Sequence, residues 1–162
     1  MRYRMKQDFF SWGPDFTIED ANGNDAFIVD GEGFSIGNQL ALKDRDGHEL
    51  AFIRQRLLSW GPKYEISKGD RIVAVVSKEL LTLFSCSFTV DVPGPEDLQA
   101  EGDFLDLEYE FQRGDRKVAT VSKRFFSISD SYGIDIAEGE DDVLILASAV
   151  VIDMACHQDK DD

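Results

Sequence analysis

A chain of 162 residues that is 43% hydrophobic is long enough for one domain with a sizeable core. Its 17 basic and 32 acidic residues leave a formal charge of −15. Such a field repels phosphates, which argues against nucleic-acid binding and restricts any membrane-surface role to a local basic patch. An Asp-rich, Lys-poor surface also suits high ionic strength, with an ordinary acidic cytosolic protein as the alternative.

The N-terminal MRYRMKQDFF has no continuous apolar stretch, so no secretory signal is expected and the cytoplasm is the expected compartment. From there the chain reads as hairpins. Asn22-Gly23, Asp30-Gly31, Asp46-Gly47, Lys68-Gly69-Asp70, Pro93-Gly94-Pro95 and Arg113-Gly114-Asp115 each separate runs rich in Phe, Ile, Val, Leu and Tyr. The runs place strands near 3–10, 15–20, 25–30, 39–44, 49–56, 63–67, 71–78, 83–92, 104–112, 116–123 and 130–136. So many short strands exceed what one flat sheet normally holds, and closure or stacking of sheets is expected. The stretch 93–103, PGPEDLQAEGD, interrupts the pattern and reads as a loop or a short strand at a crossover.

Two internal echoes run through the chain. Ser11-Trp12-Gly13-Pro14 recurs as Ser59-Trp60-Gly61-Pro62, and Asp70-Arg71-Ile72-Val73-Ala74-Val75-Val76-Ser77-Lys78 matches Asp115-Arg116-Lys117-Val118-Ala119-Thr120-Val121-Ser122-Lys123. The echoes imply a strand–turn–strand unit reused around a pseudo-symmetric sheet; solenoids and propellers are the other architectures with such a period.

The last element is different. Val143–Cys156 reads VLILASAVVIDMAC, interrupted only by Ser148 and Asp153. Helical spacing leaves it with no polar face: Leu144 and Val151 lie on one side, Leu146 and Val150 elsewhere around the cylinder. A helix apolar all round must be enclosed by apolar surroundings. The run is too short for a bilayer, which needs about 20 residues, so no transmembrane segment is expected. The acids Glu138, Glu140, Asp141 and Asp142 precede it, where the helix dipole favours negative charge, and Asp141 or Asp142 can serve as N-cap. Asp153 either emerges near the helix end or finds a buried partner. One domain over 1–157 and an acidic tail over 158–162 follow.

Chemistry is harder to find. Cys86 and Cys156 lie in apolar surroundings and read as free thiols, with a single disulfide as the alternative. His48 follows a turn, and His157 beside Cys156 makes a poor chelate, because adjacent helix residues do not face one another. No metal site and no cofactor are expected. Asp44-Arg45-Asp46-Gly47 and Glu19-Asp20-Ala21-Asn22-Gly23 lack the spacing of a calcium loop and read as hairpin turns, with calcium on clustered surface acids a residual alternative. Gly31-Glu32-Gly33 is not followed by a strand-to-helix transition, so no phosphate loop is read there. No nucleophile–base pair stands out, and no enzyme activity is expected. The densest basic group is Arg113, Arg116, Lys117, Lys123 and Arg124, while Arg54 and Arg56 share one side of a strand. These read as outward strand ends that discourage edge pairing, or as a lipid-phosphate or protein-partner patch on an acidic body.

The order of Asp97-Leu98, Glu101-Gly102-Asp103-Phe104-Leu105, the Val-Ala-Thr-Val-Ser-Lys strand, Ser131-Tyr132-Gly133-Ile134-Asp135-Ile136, Asp141-Asp142 and the apolar helix resembles the LURP-one-related family. That family is related in fold to the C-terminal domain of tubby proteins and to phospholipid scramblases. The resemblance implies a mainly β protein: a closed antiparallel β-barrel of about twelve strands around a central hydrophobic C-terminal helix. It implies no enzyme activity. The expected role is a binding or scaffold module whose partner is unknown. A phospholipid- or phosphoinositide-binding protein is the alternative, since tubby domains bind phosphoinositides through basic side chains, and a scramblase-like protein is a further one.

Overall fold

The computed structural model describes residues 1–6, 15–31, 39–56, 61–80, 86–94, 97–126 and 131–158. Twelve strands precede one helix: β1 (Arg2–Lys6), β2 (Asp15–Asp20), β3 (Asp25–Asp30), β4 (Gln39–Lys43), β5 (Glu49–Gln55), β6 (Lys63–Lys68), β7 (Arg71–Leu80), β8 (Cys86–Asp91), β9 (Leu98–Asp103), β10 (Glu108–Arg113), β11 (Arg116–Ser122), β12 (Ser131–Ile136) and α1 (Asp142–Gln158). Each strand pairs with its sequence neighbours, and β1 pairs with β12 to close the barrel. Every pairing is antiparallel.

Period-2 alternation builds the wall. Tyr3 and Met5, Leu40 and Leu42, Ala51 and Ile53, Tyr64 and Ile66, and Phe88 and Val90 point inward and are buried. Register joins these residues into layers around the barrel: Leu98 faces Val90, Val90 faces Val76, and Val76 faces Tyr64. Four hairpins carry a register shift just before their turn, at Ile18/Glu19, Leu42/Lys43, Ile66/Ser67 and Phe111/Gln112. Such bulges increase local twist, which a sheet needs in order to close.

α1 fills the space inside. Every residue from Ile145 to Cys156 is buried, and the helix packs against β5, β6, β7 and β12. Leu146, Val150 and Val151 are in the core, while Leu144 is partly buried and packs against it at the helix entry. Asp141 caps the helix: its Oδ1 accepts from the Leu144 amide at 3.2 Å and its carbonyl from the Ile145 amide at 3.1 Å. Among the described residues no helix is long and apolar enough to cross a membrane.

One segment differs from expectation. Residues 93–103 contain β9, a full member of the meander paired with both β8 and β10, and there is no crossover. The expected strand at 104–112 starts only at Glu108, because Phe104–Leu107 forms the turn between β9 and β10. The Asp106 amide donates to Asp103 Oδ1 at 3.0 Å there. Leu107 adopts φ 56. That conformation costs a branched residue about 1–2 kcal/mol, which its burial in the core offsets. The Ser-Trp copies at 11–14 and 59–60, Glu32-Gly33 and Pro95 lie outside the described residues, as do 7–10, 57–58, 83–85, 130 and the tail from 159.

Candidate functional surface

The second echo has a structural role. Lys68-Gly69-Asp70-Arg71 and Arg113-Gly114-Asp115-Arg116 are the turns of β6–β7 and β10–β11. Gly69 and Gly114 adopt φ 61 and 60, where a side chain is strained. Both turns lie at the barrel end where α1 enters, and both grip its acidic lead-in. Lys68 Nζ is 3.0 Å from Asp141 Oδ2. Arg113 Nη1 donates to both oxygens of Glu140, at 2.9 and 2.6 Å, and Arg116 Nη2 reaches Glu140 at 3.3 Å. Tyr3 donates to Asp142 Oδ2 at 2.5 Å. Burial, this bond and the charges of Asp142 and Asp20 push the Tyr3 phenol well above its ordinary range. Three consecutive acids are thus held by three different parts of the wall.

The remaining basic residues lie elsewhere. Lys117 Nζ stands 4.0 Å from Glu110 on the outer wall. Lys123 is at the far end of β11; its Nζ is 3.9 Å from Asp106 and its amide donates to Glu108 at 3.1 Å. Arg124 is exposed, and its guanidinium makes no ion pair among the described residues. A seven-residue strand separates the two ends by about 20 Å, so the five residues do not converge on one site. Arg54 and Arg56 converge on Glu65, at 3.4 and 2.7 Å. The hydrogen bond from Arg56, with the charges of both arginines, holds the Glu65 carboxyl below its usual range against the effect of burial.

The outer face of β12 carries a feature that the sequence reading missed. Arg2 stacks 4.2 Å from the Phe125 ring centroid and Arg4 5.9 Å from that of Phe126. Arg2 is also 3.6 Å from Asp135, and Arg4 pairs with Glu19. Gly133 lies beneath: a Cβ there would fall 2.7 Å from Phe125 Cβ and 2.8 Å from Phe126 Cε2. The alternation of Arg2 and Arg4 was a readable signal, since period 2 puts both on one face of β1.

Next to this face the wall turns acidic. Glu101 is paired opposite Glu110 and Asp103 opposite Glu108, arrangements that cost energy when like charges face each other. A shallow groove of about 470 Å³ is lined by Glu101, Gly102, Glu108, Glu110 and Thr120. Asp44, Asp46 and His48 bring one ligand atom each within 4.8 Å of one another on the β4–β5 turn. Asp44 Oδ1 is already occupied by the amides of Asp46 and His48, each at 2.9 Å. Those bonds, led by the one from the His48 amide, hold the Asp44 carboxyl low. Asp20 uses its Oδ1 in the same way on the amides of Asn22 and Asn24, at 2.9 and 3.0 Å. Both segments are hairpin turns organised around an aspartate, as their sequence reads.

The interior holds a second polar group. Tyr132 donates to Asp153 Oδ2 at 2.9 Å, and both residues are buried. Asp153 thus takes the buried-partner alternative. Ser148 Oγ donates to the Leu144 carbonyl at 2.8 Å, which satisfies it within the helix. The Tyr109 hydroxyl is buried without a hydrogen-bond partner among the described residues. Burial, then the charges of Asp153 and Cys156, push its pKa well above the ordinary value. Cys86 and Cys156 are not joined in a disulfide.

Comparison with known proteins agrees with this architecture. The chain is 35% identical over 158 residues to the uncharacterized protein YxjI of Bacillus subtilis, covering 98% of this chain and 95% of that protein. It superposes on the crystal structure of an Arabidopsis thaliana protein with a TM-score of 0.67 at 16% identity, over 96% of this chain and 90% of the other. The sequence profile of the LURP-one-related family matches residues 1–153, and with that coverage the chain belongs to the LURP-one-related family.

Proposed function

We propose that this protein is a non-enzymatic binding or scaffold module that works through its outer surface. The observation that carries this reading is the filled lumen: α1 is buried on every side from Ile145 to Cys156 and takes up the space where a barrel would hold a ligand. The basic, acidic and aromatic groups with access to solvent lie on the outside of the wall and at its ends. Two cysteines outside any disulfide fit a reducing compartment, and the cytoplasm is the proposed location. Turnover assays with ester, phosphoester and glycoside substrates test the reading. It predicts none; turnover lost on changing one side chain overturns it.

A second reading is binding of anionic phospholipid at the end of β11. Arg124 favours it, being exposed and outside any ion pair among the described residues, beside Lys123 and the Phe125–Phe126 pair. Sedimentation with vesicles of phosphatidylserine in phosphatidylcholine at moderate salt tests it. The expected result is binding lost in Arg124→Ala and kept in Arg116→Ala, whose guanidinium is engaged by Glu140. No sedimentation of the wild-type protein removes the reading.

A further inference from the structure

One joint in the wall is unlike the others. β1 and β12 stand at the two ends of the described strand order, whereas the other joints pair strands that follow each other in the chain. A short connection makes a parted hairpin easy to re-form, and the closure cost rises with the length of chain between the partners. The seam has no short connection: its ladder pairs Arg2 with Asp135 and Lys6 with Ser131. It ends in a reciprocal pair, in which the Met1 ammonium donates to the Ile136 carbonyl and the Ile136 amide to the Met1 carbonyl, each at 2.8 Å.

A turn on the outer face crosses this seam. Lys123–Phe125 forms a single 3-10 turn after β11 and is anchored twice: the Arg124 amide donates to Ser122 Oγ at 3.0 Å, and the Lys123 amide to Glu108 Oε1 at 3.1 Å. Phe125 and Phe126 then lie over β12 at Gly133, which has no side chain to hold them off. Gly133 is the register partner of Arg4, and Asp135 that of Arg2. Those two guanidinium groups reach back over the aromatic pair, Arg2 at 4.2 Å from the Phe125 centroid and Arg4 at 5.9 Å from that of Phe126. The pair is thus joined by the chain to one bank of the seam and holds the other bank through two cations. Inside the barrel α1 is bonded to both banks, Asp142 to Tyr3 on β1 and Asp153 to Tyr132 on β12.

We propose that the β1–β12 seam is a gate in the wall and that the turn at 123–126 is its clasp. The barrel opens there before it opens elsewhere, and the stacking of Arg2 and Arg4 on the aromatic pair sets how often. Opening separates the two strands that hold the ends of α1, so it loosens the helix while the hairpins from β2 to β11 stay paired. The clasp lies outside the wall. A partner that engages Phe125 and Phe126, or the two arginines, undoes it without entering the barrel.

Residue-resolved native-state amide exchange tests the proposal. In the wild type, amides of β1 and β12 should exchange through an opening that leaves β6 and β7 protected. Arg2→Gln should raise the seam opening constant about two- to fivefold and Phe125→Ala about tenfold or more, because the clasp is already broken in the open state. Asp135→Asn, which removes the ion pair of Arg2 and keeps the stacking, should raise it less. Gly47→Ala strains the β4–β5 turn at φ 88; it should raise the opening of β6 and β7 about fivefold and leave that of the seam unchanged. Arg2 and Asp135 sit next to the reciprocal Met1–Ile136 pair and so form a non-hydrogen-bonded pair, where side chains are closest. A disulfide between Arg2→Cys and Asp135→Cys should abolish the local opening, so that seam amides exchange only with β6 and β7. Wild-type seam amides that already exchange only with β6 and β7, or a local opening that survives the crosslink, overturn the gate. Equal effects of Arg2→Gln and Asp135→Asn, or an unchanged seam in Phe125→Ala, overturn the clasp. Should Phe125→Ala not fold, the Arg2 and Asp135 variants and the crosslink decide.

Discussion

Replacing Val150 with Asp tests whether the helix is a core or an anchor. Val150 is 1% exposed and sits in a run of buried residues that extends from Ile145 to Cys156. It is eight residues from the start of α1 at Asp142, about 12 Å along the axis at 1.5 Å per residue. An aspartate side chain reaches only a fraction of that distance, so a carboxylate at this position cannot emerge at the entry. It also sits nearly one turn from Asp153, whose partner Tyr132 is already engaged. Removing one partner of a buried charge, or adding a buried charge with no partner, costs about 3–5 kcal/mol. Loss of the valine contacts adds about 1.5–3 kcal/mol. The sum is comparable with the whole stability of a typical domain, about 5–15 kcal/mol. Val150→Asp should therefore abolish the near-UV circular dichroism signal and the cooperative urea transition, while Val150→Ala should keep both and lower stability by about 2 kcal/mol. A Val150→Asp protein that is folded, with a wild-type urea midpoint, would refute the enclosed-helix reading.

The remaining predictions concern the wall. Gly133→Ala should cost about 1–3 kcal/mol, because the new methyl meets Phe125 and Phe126 below contact distance, and amide exchange across 123–126 should speed up. Gly102→Ala should cost at least as much: its φ is +138 and the new Cβ would fall 2.6 Å from the Glu108 carbonyl oxygen, so urea midpoints should drop. Arg113→Ala should destabilise by about 1–2 kcal/mol, leaving the nearly buried Glu140 with only the longer contact to Arg116; a wild-type midpoint would show that the clamp contributes nothing. The depressed carboxyl of Glu65 contributes stability that is present above its ordinary value of 4.5 and is lost as pH falls through its native value. Glu65→Gln should therefore narrow the difference between urea midpoints at about pH 6 and about pH 3, and an unchanged difference would contradict the pairing with Arg56 and Arg54.

Much of this barrel was legible before any coordinates, and for local reasons. Asp–Gly and Lys–Gly–Asp turns are written within a few residues, so the hairpins could be placed to within a residue or two at β2, β3, β4 and β6. The helix announced itself because an apolar run with no polar face has few environments open to it. β9 was read only as one of two alternatives, a short strand at a crossover, because Leu98 and Ala100 are its only apolar inward residues, and Glu, Gly and Asp have low strand propensity. Its place in the sheet comes from its neighbours. The basic group was seen but its partners were not. Arg113 and Glu140 are 27 residues apart, and Lys68 and Asp141 are 73 apart. No spacing rule reads such a pair, and the acidic lead-in looked like a response to the helix dipole alone. The partner of Asp153 was hidden for the same reason, since Tyr132 gives no sign in sequence of pointing at it.

The seam between β1 and β12 makes the order of synthesis matter. The Met1 ammonium group donates to the Ile136 carbonyl at 2.8 Å, across 135 residues of chain. β1 must wait for β12, and the core that the strands line is supplied by α1, which leaves the ribosome after them. A sheet formed before β12 and α1 are available would have two unpaired edges and an unfilled hollow, a form prone to join other copies. A charge of −15 keeps such intermediates apart by mutual repulsion. Long-range closure of this kind is intrinsically slow. Chains ending before Asp142 should remain protease-sensitive on the ribosome, and resistance should appear only after the whole helix has emerged; early resistance would mean the sheet can close on an empty lumen. The surface acidity is thus also a safeguard for the interval between making the wall and receiving what fills it.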